Sequence, residues 1–121
     1  MAGCKKFEDI LAWQKARKAA ARIYETASDG SFARDFGLRD QTRRSAVAIT
    51  ANIAEGQGRN SDKEFANFLN FSHGSVAETQ SHLSIATDLG HIKQNDFDEI
   101  YNLPEEIAKT TMSLLKHLRT S

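Results

Sequence analysis

The chain has almost no cysteine, almost no proline and no net charge. Its 121 residues include one cysteine (Cys4), one proline (Pro104), and 16 Lys/Arg balanced by 16 Asp/Glu. A lone cysteine forms no internal disulfide, which fits a reducing compartment, and the length suffices for one core without disulfides or metals. Cys4 reads as an exposed thiol on a loose N-terminus (residues 1–6) rather than as a nucleophile. One proline and seven glycines exclude a collagen-like or linker-dominated chain. No early apolar run resembles a signal peptide, and no stretch approaches 18 uncharged apolar residues. The cytoplasm is therefore the default location, with no membrane partner.

Strand-like alternation is absent, and helical periodicity is present nearly throughout. Ile10, Trp13, Ala20, Tyr24 and Ala27 predict a first helix over about 9–27, closed by Ser28-Asp29-Gly30-Ser31. A short loop with Phe32 and Phe36 leads to a second helix over about 38–56, stopped by Gly56 and Gly58. Ser61-Asp62-Lys63-Glu64 is a capping box that opens the third helix. Phe65, Phe68, Leu69, Ser72, Val76, Thr79, Leu83 and Ala86 form its core stripe. Phe71, Ile85 and Leu89 form a second stripe, and Gly90 ends the helix. A last helix over about 96–118 buries Phe97, Ile100, Ile107, Leu114 and Leu118, with a kink or short break expected at Pro104. The short joints predict one all-α domain, an antiparallel up-down-up-down four-helix bundle.

Residues 43–59 are apolar or small nearly all the way round. Ala46, Ile49 and Ile53 fall on one side, Val47 and Ala54 almost opposite. A helix apolar on both sides is buried on both sides. Ala46, Ile49 and Ile53 are assigned to the core, Val47 and Ala54 to an oligomer interface.

The constellations of common enzymes are missing. A metal-carboxylate bundle needs paired Glu-x-x-His motifs, and there are none. Glu78 with His82 stands alone, and Asp88 and His91 straddle a helix end. No glycine-flanked elbow or Cys–His pair marks a nucleophile. Gly56-Gln57-Gly58 follows a helix, so a helix end is a better reading than a phosphate loop. No metal or cofactor is expected. Asn52 and Glu55, with Arg44 on the same flank, are expected to join a structural polar network with Ser75, Glu78 or His82. A small enzyme built on Glu55 and Glu78 is the sharper alternative.

Positive charge is the better functional lead. Residues 1–60 carry 11 Lys/Arg against 7 Asp/Glu, residues 61–121 carry 5 against 9. Lys15, Lys18 and Arg22 recur along the first helix, Arg39 and Arg43 are one turn apart on the second, and Arg59 and Lys63 cluster at the next joint. With Arg44 they form the candidate nucleic-acid-binding set, since clustered cations displace counterions from a phosphate backbone. The bland alternative pairs them with Glu25, Asp40 and Glu55. No aromatic residues interleave with these cations, so base stacking is not indicated.

Phe7-Glu-Asp-Ile-Leu-Ala-Trp13-Gln-Lys-Ala16, Gly37-Leu-Arg-Asp-Gln41, residues 43–56, Ser61-Asp-Lys-Glu-Phe65 and Gly74-Ser-Val-Ala-Glu78 resemble the bacterial four-helix-bundle family of 23S rRNA intervening-sequence proteins. The likeness spans about Phe7 to Leu118. It implies a homopentameric bundle with no established enzymatic activity. Relatives serve diversity-generating retroelements as accessory subunits, where a basic pentamer binds nucleic acid and the reverse transcriptase. This chain is neutral overall where that branch is strongly basic. The expected partners are therefore a second copy of the chain, RNA or DNA, and alternatively a protein partner with no direct nucleic-acid contact.

Overall fold

The computed structural model describes residues 6–120, so Cys4 and most of the expected loose N-terminus lie outside the described residues. The described residues hold five helices and no strand: α1 (Leu11–Thr26), α2 (Gly30–Arg34), α3 (Phe36–Gln57), α4 (Asp62–Asp88) and α5 (Gln94–Thr120), with a 3₁₀ turn at Phe7–Asp9. Among them, no helix is long and apolar enough to cross a membrane. α1 packs against α3 and α5, and α4 packs against the same two.

The core has two parts. One gathers Ile10, Ala12, Ala16, Ala19, Ile49, Ile53, Phe65, Leu69, Val76, Ile107 and Leu115. The other gathers Ile23, Ala27, Phe32, Ala46, Leu83, Ala86, Ile92 and Ile100. Hydroxyls mark the handover along α3 and α4. The Thr79 hydroxyl lies 2.8 Å from both Ser45 Oγ and the Ser75 carbonyl, and Ser72 donates to the Ile49 carbonyl at 2.9 Å. Each is buried, and an unpartnered hydroxyl there would cost about 1–3 kcal/mol.

The α1 stripe is rotated from the expected one. Ala12, Ala16, Ala19 and Ile23 are buried, whereas Trp13 and Ala20 are half-buried and Tyr24 is exposed. Small side chains let α1 approach its neighbours closely, and the large rings are left at the margin. Phe7 meets Trp13 edge-on there, with centroids 5.0 Å apart.

α2 was not expected. Gly30 adopts φ +61°, a left-handed turn that glycine tolerates without steric cost, and Phe32 then enters the core with no exposed surface. Phe36, placed in the same loop by the sequence, is instead the first residue of α3 and points to solvent.

Neither glycine stops α3 by a left-handed turn. Gly56 lies inside the helix, where an added Cβ would come within 2.7 Å of Phe68 Cβ, so its role is to let α4 approach. Gly58 has ordinary helical angles, and Asn60 takes the left-handed position at φ 62°. Ser61 caps α4 by accepting from the Glu64 amide at 3.1 Å, but the Glu64 side chain makes no return bond. Gly90 does end α4: at φ 79° it lets the His91 amide donate to Ala86 and its own amide to Thr87, which satisfies the last carbonyls.

α5 is not broken at Pro104. The helix runs through it, and the ring is buried beside Ile107 and Ala108. Packing on both sides of the proline holds the helix despite one missing backbone bond.

Candidate nucleic-acid interface

The eight cations do not form one surface. α3 rises about 1.5 Å per residue, so Arg43 and the joint after Gln57 that carries Arg59 are separated by about 21 Å along its axis. Lys15 and Arg22 lie on the seam between α1 and α5. Lys15 Nζ donates to Thr110 Oγ1 at 3.0 Å and sits 3.9 Å from Glu106. Arg22 meets Glu99 at 3.4 Å and Glu25 at 3.8 Å, and donates to Thr26 at 2.9 Å. Lys18 is exposed with no ion pair among the described residues.

Arg59 and Lys63 sit at the α3–α4 joint. Arg59 donates to Glu55 at 2.7 Å and lies over the Phe68 ring at 5.1 Å. The hydrogen bond to Glu55, with the charges of Glu55 and Glu64, raises the Arg59 pKa above its ordinary value. Lys63 is exposed and unpaired among the described residues. The bland pairings with Glu25, Asp40 and Glu55 therefore all form, which leaves Arg22, Arg39 and Arg59 partly neutralised.

Arg39, Arg43 and Arg44 differ in how they are held. Arg39 Nε bonds Asp40 at 2.9 Å, and Nη1 donates to the Ala33 carbonyl at 3.1 Å. Arg43 reaches across to the end of α1, donating to the Tyr24 carbonyl at 3.2 Å and to Ser28 Oγ at 2.9 Å. Both acceptors are neutral, so its charge meets no carboxylate among the described residues, and its buried Nε has no partner among them either. The bond to Tyr24 also satisfies a carbonyl of the last turn of α1, where a cation is favoured. Arg44 is exposed with no partner among the described residues.

Aromatic rings do interleave with the cations, contrary to the sequence reading. Arg17 lies over Trp13, Arg39 over Phe36 at 4.9 Å, Arg43 over Tyr24 at 4.7 Å and Arg59 over Phe68. The Trp13–Arg17 spacing, i+4, was visible in the sequence as helix neighbours. Phe36 with Arg39 was masked by the placing of Phe36 in a loop, and Tyr24 with Arg43 by the 19 residues between them.

The expected polar network runs through other residues. Asn52 is half-buried and makes no hydrogen bond among the described residues, Glu55 is committed to Arg59, and Glu78 is exposed. Ser75 contributes only its carbonyl. Thr42, Ser45, Ser72 and Thr79 make the contacts instead, with His82 Nδ1 3.4 Å from Ser45 Oγ. Short hydroxyls fit between closely packed helices where an amide or carboxylate does not. Val47 is exposed and Ala54 half-buried.

His91 turns away from Asp88. Its Nε2 donates to the Asp35 carboxylate at 2.9 Å, its Nδ1 lies 2.7 Å from Ser31 Oγ, and its ring stacks on Phe32. The hydrogen bond from His91 is the main cause of a lowered Asp35 pKa, helped by the Leu38 amide that Asp35 caps. These contacts tie α2 and the start of α3 to the α4–α5 connection. Among the described residues, no group of three or more His, Cys, Asp or Glu is placed to hold a metal.

An all-helical protein with arginine–aromatic pairs at its surface is the class these observations define. Residues 8–113 match the 23S rRNA-intervening sequence protein family, and the chain belongs to it. None of the curated proteins matches it. The chain is similar to a crystal structure from Bacteroides thetaiotaomicron VPI-5482, a protein of unknown function from the S23 ribosomal protein family. The two share 28% identity and a TM-score of 0.80, over 88% of this chain and 99% of that one.

Proposed function

We propose that this protein is a non-enzymatic, homo-oligomeric helical scaffold of the bacterial cytoplasm that binds RNA or DNA weakly and with little sequence preference. The state of Arg43 carries the reading: its guanidinium is held in place by neutral acceptors, so its charge stays available to a phosphate. Arg44 stands exposed beside it, and Lys18 and Lys63 add unpaired charge elsewhere. Few cations and several neutralised ones mean modest affinity. The 23S rRNA gene context in the family's name supports a nucleic-acid ligand without specifying it.

Cross-links Lys15–Thr110, Ser72–Ile49 and Gln80–Glu105 support an antiparallel up-down-up-down order for α1, α3, α4 and α5. Val47 and Ala54 share a face of α3, and Val47 is 43% exposed in the single chain. That face suits a second copy, and a homopentamer is the assembly the family likeness implies.

The test is fluorescence anisotropy with a labelled RNA. Charge reversal at both Arg39 and Arg43 is expected to abolish binding, and a variant that binds like the parent would overturn the reading. The non-enzymatic part has its own check. Hydrolysis of an activated ester that disappears in Ser31→Ala would show that the Ser31–His91–Asp35 line is catalytic.

A second reading makes the protein an accessory subunit with a protein partner and no nucleic-acid contact. It rests on Phe71 of α4 and Leu89 just past its end, each 59% exposed. A stoichiometric protein recovered in a pull-down after nuclease treatment would favour it.

A further inference from the structure

Two of the arginines in the proposed interface stand on rings that solvent still reaches. Phe36 is 64% exposed and Tyr24 41%, and neither belongs to the core. Both rings therefore present apolar surface to solvent rather than filling the core. Arg39 and Arg43 lie one turn apart on α3, so the two ring–guanidinium pairs are neighbours where the end of α1 meets the start of α3.

Each guanidinium is fixed as well as placed over its ring. Arg39 is held by the Ala33 carbonyl and Asp40, Arg43 by the Tyr24 carbonyl and Ser28. A fixed guanidinium plane over an aromatic ring offers a flat cationic surface, and each partly exposed ring keeps open area of its own. Nucleobases stack on both kinds of surface, but only when unpaired and free of their neighbours in a duplex. A purely electrostatic patch would need no exposed rings.

We infer that Tyr24, Phe36, Arg39 and Arg43 form a stacking platform for the unpaired bases of a single-stranded nucleic acid, with Arg43 and Arg44 meeting its phosphates. This rests on the nucleic-acid reading and names the substrate class of that interface. A base on each ring replaces water on exposed apolar surface, while the phosphates meet charge that no carboxylate among the described residues has taken. Stacking is tolerant of base identity, which agrees with weak sequence preference.

The test compares a labelled single-stranded RNA with a duplex of equal length at about 50 mM salt. The wild type is expected to bind the single strand more tightly. Phe36→Ala should weaken single-strand binding about 5- to 150-fold, the loss expected for one stacked base. It should leave duplex binding and the salt dependence unchanged. Phe36→Trp should restore single-strand binding, and Tyr24→Leu should mirror Phe36→Ala. Circular dichroism melts confirm folding, since Phe36 lies outside the core. Equal binding of single strand and duplex, or indifference to Phe36→Ala, overturns the platform and leaves the electrostatic reading standing. A change in oligomer mass with unchanged RNA affinity assigns the rings to a protein contact and also overturns it. No binding of either probe by the wild type overturns both.

Discussion

At Gly56 the packing of α3 on α4 comes down to one missing methyl group. An added Cβ would approach Phe68 Cβ to 2.7 Å and Phe65 Cδ1 to 3.1 Å. The first neighbour is anchored at the root of its side chain, so the helices must part. Gly56→Ala should destabilise by about 1–3 kcal/mol, measured by urea denaturation. A neutral or stabilising result would mean that the helices part at no cost. Asp35 offers a second residue-scale test, through pH. Its pKa is lowered by the hydrogen bond from His91 and by the Leu38 amide. A carboxylate with a depressed folded pKa stabilises at pH above its unfolded value of about 3.9, and that contribution is lost as pH falls through the folded pKa. Wild type should therefore melt above Asp35→Asn at neutral pH, and the gap should close in acid. A gap that persists unchanged below pH about 2 would contradict this.

Among the elements, α2 is the one the sequence hid. Five residues with one large apolar side chain carry no periodicity, so Phe32 could not be told from Phe36 by pattern. Tertiary structure separates them: Phe32 joins the buried cluster of Ile23 and Leu83 and stacks on the His91 ring, whereas Phe36 is exposed with Arg39 over its ring. The α4 stripe was legible because 27 residues repeat the pattern many times, and Ser61 and Gly90 announce its ends. The α1 face was misjudged because size was weighed over fit: alanines, not the rings, mark the contact. The same oversight hid the arginine–aromatic pairs, since rings assigned to the core are not sought at the surface. Phe32→Ala should cost about 3–5 kcal/mol. It should also speed hydrogen exchange at the α2 end of the bundle ahead of the Ile53–Leu69 end. Uniform loss of protection would show that the two parts of the core do not act separately.

At the scale of the whole molecule, an evenly balanced chain hides an uneven surface. Carboxylates within the chain claim Arg22, Arg39 and Arg59, and leave Lys18, Arg43, Arg44 and Lys63 without an ion-pair partner among the described residues. Net charge alone could not reveal which cations remain available. Apolar residues of α3 and α4 (Val47, Phe71, Ile85) stay exposed in the same way. Light scattering after size exclusion should give a mass well above 13.5 kDa, near 68 kDa for a pentamer, and Val47→Glu should reduce it. A wild-type monomer would remove the oligomer from the proposal. The most direct test of the central claim is RNA affinity against salt. With two to four unpaired cations reaching phosphates, affinity should fall about 10- to 100-fold between 50 and 200 mM salt. Salt-insensitive binding, or no binding even at the lower salt, would contradict the account.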